Sequence, residues 1–540
     1  MKPLLTLQNR HFGRHEIISL LLKRVSALEK QYRQNIAIIG NQSLGKTTLI
    51  LDLLRHCKAK AVIPIYIDVE IKSVVSFVEN FIGVLLYQYL SSIEQTVDDS
   101  FEFLIEKSRL KLPKTIAEIL KIKELLKNKS NYAEVYNLLL SLSQTLCVEA
   151  GKPVLLILDE FQNLRRLNIP DPFLELSNKI MLQRNVMYLL VSSAVYSARR
   201  ILREKLNLLF GNFEIIQIYP FDYSTAKNYI LAKLQNLEID ENYINFLIEF
   251  TGSYPFYLDV ICDDIKHRCL EIGNNRVTKK IFLYSLVETM YKDYGILNQS
   301  FNNKYYSLLN NTDNSMLLPM LLLIAKGNQK SVCISSFLNK KTTVVNKCLN
   351  MFIEMDIIYK RGVFNYICDP LFAKWLKFVF SRQKNSFNQD NYAAINKFQD
   401  NMSQTFKNFV IESKKSIPQR LKELLELFND DIVELDKKRF MLTHFDKIVI
   451  TNINNAVLLN AYKGNKCWYC YVLVDFIEEH MVADFVSNID KKNSLKKILI
   501  AFNGISLNAK LKALEAKLWI WDSNTINELF LLFGRPRVIL

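Results

Sequence analysis

Short apolar runs alternate with longer amphipathic stretches through the first two-fifths of the chain. The runs are 35–40, 63–69, 153–158, 186–191 and 214–218. They have the length of strands, whereas the stretches between them, including 73–95 and 133–150, have helical periodicity. Apolar strands separated by helices predict a parallel sheet covered on both faces. A charged helical segment, 98–129, is predicted to be an insertion before the third strand.

A phosphate-binding motif follows the first predicted strand. Its residues are Gly40, Asn41, Gln42, Ser43, Leu44, Gly45, Lys46, Thr47 and Thr48. The first eight satisfy G-x-x-x-x-G-K-[ST] between a strand and a helix. The glycines allow backbone N–H groups to converge on phosphate oxygens at the helix N-terminus. Lys46 is predicted to reach the β- and γ-phosphates of ATP, and the Thr47 hydroxyl to hold Mg²⁺.

The third and fourth predicted strands end in polar residues that fit hydrolysis. Asp159 is predicted to hold Mg²⁺, and Glu160 to act as the general base on the attacking water. An acidic helix cap is the alternative interpretation of this pair. Ser193 is predicted to lie between the phosphate loop and the two acids, where it orients the water or senses the γ-phosphate. A helix cap is again the alternative.

The middle of the chain has the order of elements of a winged helix. Helical patterns at 315–325, 331–339 and 342–355 are followed by strands at 357–359 and 363–367. The third helix is predicted to present Thr343, Asn346 and Lys347 outward. Lysines and an arginine nearby are predicted to contact DNA phosphates: Lys340, Lys341, Lys360 and Arg361. The alternative is a winged helix that only packs against protein.

Residues 383–540 are predicted to form a second α/β unit after a polar join at 383–391. A long amphipathic helical region extends to about residue 428. Strand-like runs follow at 440–451, 456–462, 468–476, 495–502 and 518–521, with helices at 507–516 and 523–532.

These patterns resemble the archaeal-type ATPase family, a branch of the AAA+ and STAND-like P-loop ATPases related to origin-recognition ATPases. The motifs that carry the resemblance, beyond the P-loop, are 12–16 (FGRHE), 66–68 (YID), 220–221 (PF), 251–258 (TGSYPFYL) and 369–376 (DPLFAKWL). The resemblance implies four domains. They are a P-loop ATPase core at 1–222, a helical lid at 223–298, a winged helix-turn-helix at 299–382 and a restriction-endonuclease-like α/β domain at 383–540.

The resemblance also implies roles for single residues. Gly252 and Pro255 are lid elements, and the 12–16 motif helps to contact the base or the phosphates. Relatives often have a Gly-Arg pair shortly before the last strand, where this chain has Gly211 and Asn212. Arg199 and Arg200 are the candidates to replace that arginine, and a solvated basic face is the alternative.

The resemblance to a nuclease can be tested against the acids of the last domain. Such a site needs an Asp on one strand and Asp/Glu-x-Lys on a later one. Asp446 and Asp475 are the candidate acids, but Ile477 stands at the lysine position. The domain is therefore predicted to bind nucleic acid without cutting it.

Cys467 and Cys470 form a lone C-x-x-C on a predicted strand. They are assigned no metal, because strand residues at i and i+3 point to opposite faces.

Composition narrows the function classes. Among 540 residues there are 14 Gly and 12 Pro, and 70 Lys and Arg against 54 Asp and Glu give a net charge of +16. Such an excess suits a polyanion such as double-stranded DNA, and it also keeps a protein soluble. Nine scattered Cys and a longest apolar run of only 316–325 predict a cytoplasmic protein without a membrane partner.

The predicted function is therefore an ATP-binding, ATP-hydrolysing switch that acts on DNA through the winged helix. Two alternatives stay open. One is a signalling or defence-type adaptor whose ATP-bound state controls assembly with a protein partner or with further copies of itself. The other is an ATPase-coupled nuclease.

Overall fold

The computed structural model describes residues 12–57, 61–69, 73–93, 97–127, 131–206, 213–310, 315–381, 391–435, 438–453, 456–487 and 494–538. The chain divides into two compact units. The first consists of Met1–Ala232, Ser253–Asp259 and Phe352–Asp356, and the second of Lys233–Gly252, Val260–Met351 and Ile357–Leu540. The four predicted domains are finer than these two units, and their boundaries stay predictions.

A five-stranded parallel sheet lies at the centre of the first unit. Its strands are β1 (Ile36–Ile39), β2 (Ile63–Asp68), β3 (Val154–Asp159), β4 (Val186–Ser192) and β5 (Glu214–Gln217). Their order across the sheet is β2-β3-β4-β1-β5, and every neighbouring pair is parallel. All residues of β1, β3 and β4 are buried, as expected for a sheet covered on both faces. The predicted P-loop NTPase α/β fold is thus confirmed.

Nine helices in the described ranges surround this sheet. They are α1 (His15–Glu29), α2 (Lys46–His56), α3 (Val74–Ser91), α4 (Phe101–Ser108), α5 (Pro113–Lys127), α6 (Tyr132–Ala150), α7 (Pro172–Leu182), α8 (Val195–Glu204) and α9 (Tyr223–Lys233). A short 3-10 helix, Phe161–Leu167, follows β3. The predicted helical insertion before the third strand corresponds to α4 and α5.

One of these helices corrects the sequence analysis. Within the described part of the chain, α3 is the one helix that is long and apolar enough to cross a membrane, by length and composition only. The prediction that 316–325 is the longest apolar candidate is therefore wrong. Eight α3 side chains, from Phe77 to Leu90, are buried and belong to the hydrophobic core of the first unit.

The second unit begins with helices and a small hairpin. The helices are α10 (Glu241–Thr251), α11 (Pro255–Ile272), α12 (Lys279–Leu286), α13 (Ile296–Asn310), α14 (Leu317–Ala325), α15 (Ser331–Leu338), α16 (Thr342–Glu354) and α17 (Pro370–Trp375). The first five residues of α11 and the last turn of α16 belong to the first unit. Strands β6 (Ile358–Arg361) and β7 (Phe364–Ile367) pair antiparallel after α16. Three helices followed by a hairpin is the predicted order of a winged helix.

The C-terminal part contains a mixed sheet and a separate hairpin. Strands β8 (Asp431–Leu435) and β9 (Lys438–Leu442) form the hairpin. The sheet has the order β10 (Lys447–Ile453), β11 (Ala456–Lys463), β12 (Lys466–Leu473), β13 (Ser494–Ala501) and β14 (Trp519–Asp522). Its first three strands are antiparallel, and β13 and β14 are parallel to β12. The helices of this part are α18 (Asn391–Lys414), α19 (Ile417–Leu425), α20 (Glu479–Ser487), α21 (Leu507–Glu515) and α22 (Ser523–Leu532).

Three features of this part differ from the sequence analysis. The single strand predicted at 440–451 is two strands, β9 and β10, because the chain leaves the β8–β9 hairpin before it enters the sheet. Strand β8 and helix α20 were not predicted. Helix α20 lies on the sheet face lined by Tyr471 and packs its Phe485 ring on that tyrosine, with ring centroids 4.6 Å apart.

Candidate functional site

The phosphate loop joins the end of β1 to the start of α2. Gly45 has φ +78° and Ser43 has φ +65°, so two backbone positions are left-handed within three residues. At Gly40, a Cβ atom would lie 2.6 Å from the Ile218 carbonyl oxygen, which leaves room only for glycine. The Lys46 ammonium donates to the Asn41 carbonyl oxygen at 2.9 Å. The Lys46 side chain therefore lies across the loop in which phosphate is predicted to bind.

Arg14 supports the loop from the segment that precedes α1. Its guanidinium donates to the carbonyl oxygens of Leu44, at 2.6 Å, and of Tyr219, at 2.8 Å, and lies over the Phe221 ring. Burial lowers the pKa of Arg14 to about 10. The resemblance implied a contact of this segment with the nucleotide. The structure also gives Arg14 a contact with the backbone of the loop, which the sequence pattern did not reveal.

Asp159 is held by three donors at the end of β3. Its Oδ2 accepts hydrogen bonds from the Thr47 hydroxyl at 3.2 Å and the Tyr66 hydroxyl at 2.8 Å. Its Oδ1 accepts from the Glu160 backbone N–H at 3.0 Å. Burial raises the pKa of Asp159, and the Tyr66 hydrogen bond opposes that rise. The sequence analysis used Tyr66 only as part of a family motif. A signal was present, because Tyr66 lies two residues before the end of a strand and Tyr66 and Asp159 are both near the C-terminal edge of the sheet.

Glu160 is oriented by the end of β4. Its Oε2 accepts from the Ser193 backbone N–H at 3.0 Å, from the Ser193 hydroxyl at 2.8 Å and from the Gln162 amide at 2.6 Å. The Ser192 hydroxyl in turn donates to the Gln162 side-chain oxygen at 2.6 Å. This contact is possible because β4 lies between β1 and β3. All three bonds reach one carboxylate oxygen, and Oε1 takes no part in them.

Four charged side chains lie close together around the phosphate loop. Lys46 is buried. That burial lowers its pKa, while the carboxylates of Glu160 and Asp159 raise it and Arg14 lowers it. Two cations and two carboxylates thus surround one loop at a helix N-terminus. Such an arrangement can accept a polyphosphate, whose negative charge the ammonium and the backbone N–H groups would balance.

The residues that the sequence assigns to Mg²⁺ fit that ion. The Thr47 hydroxyl and the Asp159 carboxylate are hydrogen-bonded to each other, and both offer the oxygen ligands that Mg²⁺ prefers. Elsewhere in the described residues, no group of three or more His, Cys, Asp or Glu is arranged for a metal ion. All nine cysteines are free thiols, including Cys467 and Cys470.

Other predicted residues near the loop have different neighbours. The Asn41 amide donates to the Tyr254 hydroxyl at 3.3 Å, within the 251–258 motif. Arg199 donates to the Gln217 side chain, and Arg200 forms an ion pair with Glu204 on the surface of α8. Both arginines thus have surface partners in the first unit. Gly211 and Asn212 lie outside the described residues.

In the segment predicted to be a winged helix, one predicted DNA-contacting surface is exposed and the other is partly covered by packing. Thr343, Asn346 and Lys347 are exposed on α16, as are Lys340 and Lys341 before it. The tip of the β6–β7 hairpin, in contrast, packs against β8. The Val363 N–H donates to the Ile432 carbonyl oxygen at 2.9 Å.

Arg361 of the β6–β7 hairpin also has a protein partner. Arg361 forms an ion pair with Glu528 of α22 at 2.8 Å, and the neighbouring Tyr366 hydroxyl donates to the Leu532 carbonyl oxygen. The prediction that Arg361 contacts DNA phosphates is therefore not supported by its position, because its guanidinium already has a carboxylate partner. Lys360 remains exposed.

The two candidate nuclease acids lie at opposite ends of the C-terminal sheet. Asp446 precedes β10, and its Oδ2 accepts from the Gly464 N–H in the β11–β12 turn at 2.7 Å. Asp475 follows the other end of β12. The eight residues of β12 separate the two ends by about 23 Å at 3.3 Å per residue. The two candidate acids are therefore too far apart to share one metal ion. Ile477 is buried, and its N–H donates to the Gly504 carbonyl oxygen.

Comparison with known proteins gives similarity in fold at low sequence identity. No protein-family model and no curated protein matches the sequence. Among solved structures, a Walker-type ATPase of Pyrococcus abyssi is 18% identical, with a TM-score of 0.48, over 68% of this chain and 96% of the other.

Two further solved structures are similar. The Aeropyrum pernix ORC2 protein, in ADPNP-ADP complexes, is 12% identical, with a TM-score of 0.46, over 70% of this chain and 98% of the other. The Thermotoga maritima RuvB Holliday junction branch migration motor is 10% identical, with a TM-score of 0.32, over 66% and 92%.

Proposed function

We propose that the protein binds ATP with Mg²⁺ and hydrolyses it. The observation that carries the proposal is the link between the phosphate loop and the paired acids. Thr47 of the loop donates to Asp159, and the adjacent Glu160 is oriented by Ser193 from the strand between them. These residues come from three strands of one sheet, and each is at its C-terminal edge, where α/β sheets bind ligands.

The loop supplies the binding. Gly45 and Lys46 begin α2, so its first N–H groups would donate to phosphate oxygens. The Lys46 ammonium would exchange the Asn41 carbonyl for a β- or γ-phosphate oxygen, which is a stronger acceptor because it is charged. Thr47 and Asp159 would hold Mg²⁺, which neutralises charge on the β- and γ-phosphates when bound.

Glu160 supplies the chemistry. The base must take a proton from the water that attacks the γ-phosphorus. Ser193 and Gln162 fix Oε2, so the carboxylate cannot rotate freely and Oε1 is left for the water. The Lys46 ammonium would attract the phosphate charge that develops during transfer.

Two variants test this function separately. Lys46→Ala removes the ammonium, and ATP affinity, measured by calorimetry, should fall at least tenfold. Glu160→Gln keeps the size and one hydrogen-bond acceptor but cannot accept the proton, and turnover should fall about a hundredfold while ATP binding persists. Unchanged ATP affinity in a folded Lys46→Ala protein would refute nucleotide binding at this loop. Turnover within twofold of the parent in Glu160→Gln would refute the role of the base.

We further propose that the nucleotide state controls a macromolecular partner on the exposed face of α16. The face carries Thr343, Asn346 and Lys347, with Lys340 and Lys341 close in sequence. Together with a net charge of +16, this favours double-stranded DNA. Affinity for a duplex should fall steeply with salt, and Lys341→Ala with Lys347→Ala should reduce the slope of log affinity against log salt by about two.

A second candidate is supported by the packed hairpin. Because Arg361 and the hairpin tip are engaged with α22 and β8, the hairpin has fewer groups left to contact a ligand than a free hairpin would have. An adaptor that assembles in its ATP-bound state needs no hairpin contact with DNA. Nucleotide-dependent oligomers in light scattering, with duplex affinity that is independent of salt, would favour the adaptor over the DNA switch.

A further inference from the structure

Helix α8 is capped by a residue that is distant in the sequence. The residue before α8 is Ala194, which has no polar side chain for the first N–H groups of the helix. Asp356 fills this position, since its Oδ1 accepts from the Tyr196 N–H at 2.7 Å. The two residues are 160 positions apart, and both belong to the first unit.

Helix α8 begins two residues after Ser193. Ser193 donates to Glu160 through both its backbone N–H and its hydroxyl. The intervening turn is held at its other end, because the Ala194 N–H donates to the Ser192 hydroxyl at 3.1 Å. The direction of the Ser193 donors is therefore set by Ser192 on one side and by the N-terminus of α8 on the other.

The backbone conformation and the burial of Asp356 are both unfavourable for an aspartate. Its φ is +57°, a left-handed value that costs an aspartate more than a glycine. Among the described residues, its Oδ2 is buried without a hydrogen-bond partner. Burial raises the pKa of Asp356 to about 6. Glycine would relieve the backbone strain and the buried charge at the loss of a helix cap, so the net advantage of aspartate over glycine in stability is small.

We propose that Asp356 is a positioning residue for ATP hydrolysis, which acts through α8 and Ser193 on the Glu160 carboxylate. Asp356 lies two residues after the end of α16 and belongs, like α8, to the first unit. The inference rests on the proposed function.

The test compares three variants with matched backbone effects. Asp356→Gly removes the carboxylate and relieves the left-handed φ, so the protein should fold with near-parent stability. Asp356→Asn keeps an oxygen acceptor for Tyr196 and tolerates the same φ. Asp430→Gly is the control, because Asp430 also has a positive φ, +53°, and its Oδ1 also accepts a backbone N–H, from His444.

Steady-state kinetics distinguishes positioning from a structural role. We expect Asp356→Gly to lower kcat about fivefold and to leave KM within twofold of the parent. The factor of about five is the change in an equilibrium constant that the loss of one helix cap typically causes. Asp356→Asn should restore kcat to within twofold of the parent, and Asp430→Gly should leave kcat unchanged. A kcat for Asp356→Gly equal to that of the control, or higher than that of the parent, would overturn the inference. Failure of the proposed function is recognised separately, because the parent itself would then show no Glu160-dependent turnover.

Discussion

Substitution of Gly362 is a strong test of the packing between the β6–β7 hairpin and β8. Gly362 lies at the hairpin tip with φ +65°. A Cβ atom there would lie 2.6 Å from the Val433 Cα and would overlap the Ile432 carbonyl oxygen. Both neighbours are backbone atoms of a strand. In Gly362→Ala the hairpin must therefore move away from β8.

The cost can be worked out from three contributions. Alanine in the left-handed region costs about 1 kcal/mol more than glycine. Separation of the strands breaks the hydrogen bond from the Val363 N–H to Ile432, worth about 1 kcal/mol. Phe364, which is buried in the same cluster as Val433, is partly exposed, at a cost of about 1–2 kcal/mol. The expected loss of stability is about 3–4 kcal/mol.

Gly464→Ala is the matched control. Gly464 lies at the tip of the β11–β12 hairpin with φ +56°, but a Cβ atom there meets nothing within 4 Å. This variant should lose only the conformational contribution, about 1 kcal/mol.

Urea unfolding followed by tryptophan fluorescence gives both values, because Trp468, Trp519 and Trp521 all lie in the C-terminal sheet. Hydrogen exchange adds a local measurement, since the Val363 amide should lose protection only in Gly362→Ala. Equal destabilisation by the two substitutions, with Val363 still protected, would refute the packing.

Three further predictions concern the first unit. Leu156→Ala, at the centre of the fully buried β3, should cost about 2–5 kcal/mol in urea unfolding, and a cost below 1 kcal/mol would contradict its place in the core. Tyr66→Phe removes one donor to Asp159 and should weaken Mg²⁺-dependent ATP binding about threefold to tenfold in calorimetry, with metal-free ATP binding unchanged; equal losses with and without metal would argue against this role. The pKa of Asp356 is raised from 3.8 to about 6, so its contribution to stability is present below pH 4 and is lost as pH rises through 6. Because solvent reaches part of this side chain, the parent should lose about 2 kcal/mol relative to Asp356→Asn between pH 4 and 7 in urea unfolding, and parallel pH curves for the two proteins would contradict this.

The sequence predicted the first sheet well because most of its strand residues are buried, and β1, β3 and β4 are buried throughout. Such strands read as uninterrupted apolar runs, and all five strands, including the partly exposed β5, were identified to within one or two residues. The strand order was less accessible, because neighbours in a parallel sheet need not be neighbours in the sequence. The contact of Ser193 with Glu160 depends on that order. The spacing of these residues along the chain could suggest this contact, but it could not establish that the two strands are neighbours.

Contacts between distant segments account for most of what was missed. Arg14 reaches the loop at Leu44, and Tyr66 reaches Asp159 across 93 positions. Arg14 has no local pattern that marks its partner, and the position of Tyr66 near the end of β2 indicates only the edge of the sheet at which its partner lies. The error with Asp446 and Asp475 has a different cause. Each acid lies within a predicted strand-like run, 440–451 or 468–476, and the pattern does not show which end of the sheet it reaches. Because β10 and β12 run in the same direction, Asp446 before β10 and Asp475 after β12 lie at opposite ends.

The first unit is also discontinuous in the order of synthesis. Its phosphate loop is complete at residue 48, yet Tyr254, which binds Asn41, and Asp356, which caps α8, are translated much later. At 5–20 residues per second, a ribosome needs roughly 6–25 s to travel from residue 232 to residue 356. During that interval the nascent chain has the whole phosphate loop but not the carboxylate that caps α8. Under the proposed function, the chain therefore acquires its ATP-binding loop on the ribosome before it acquires the residue that we propose to position Glu160.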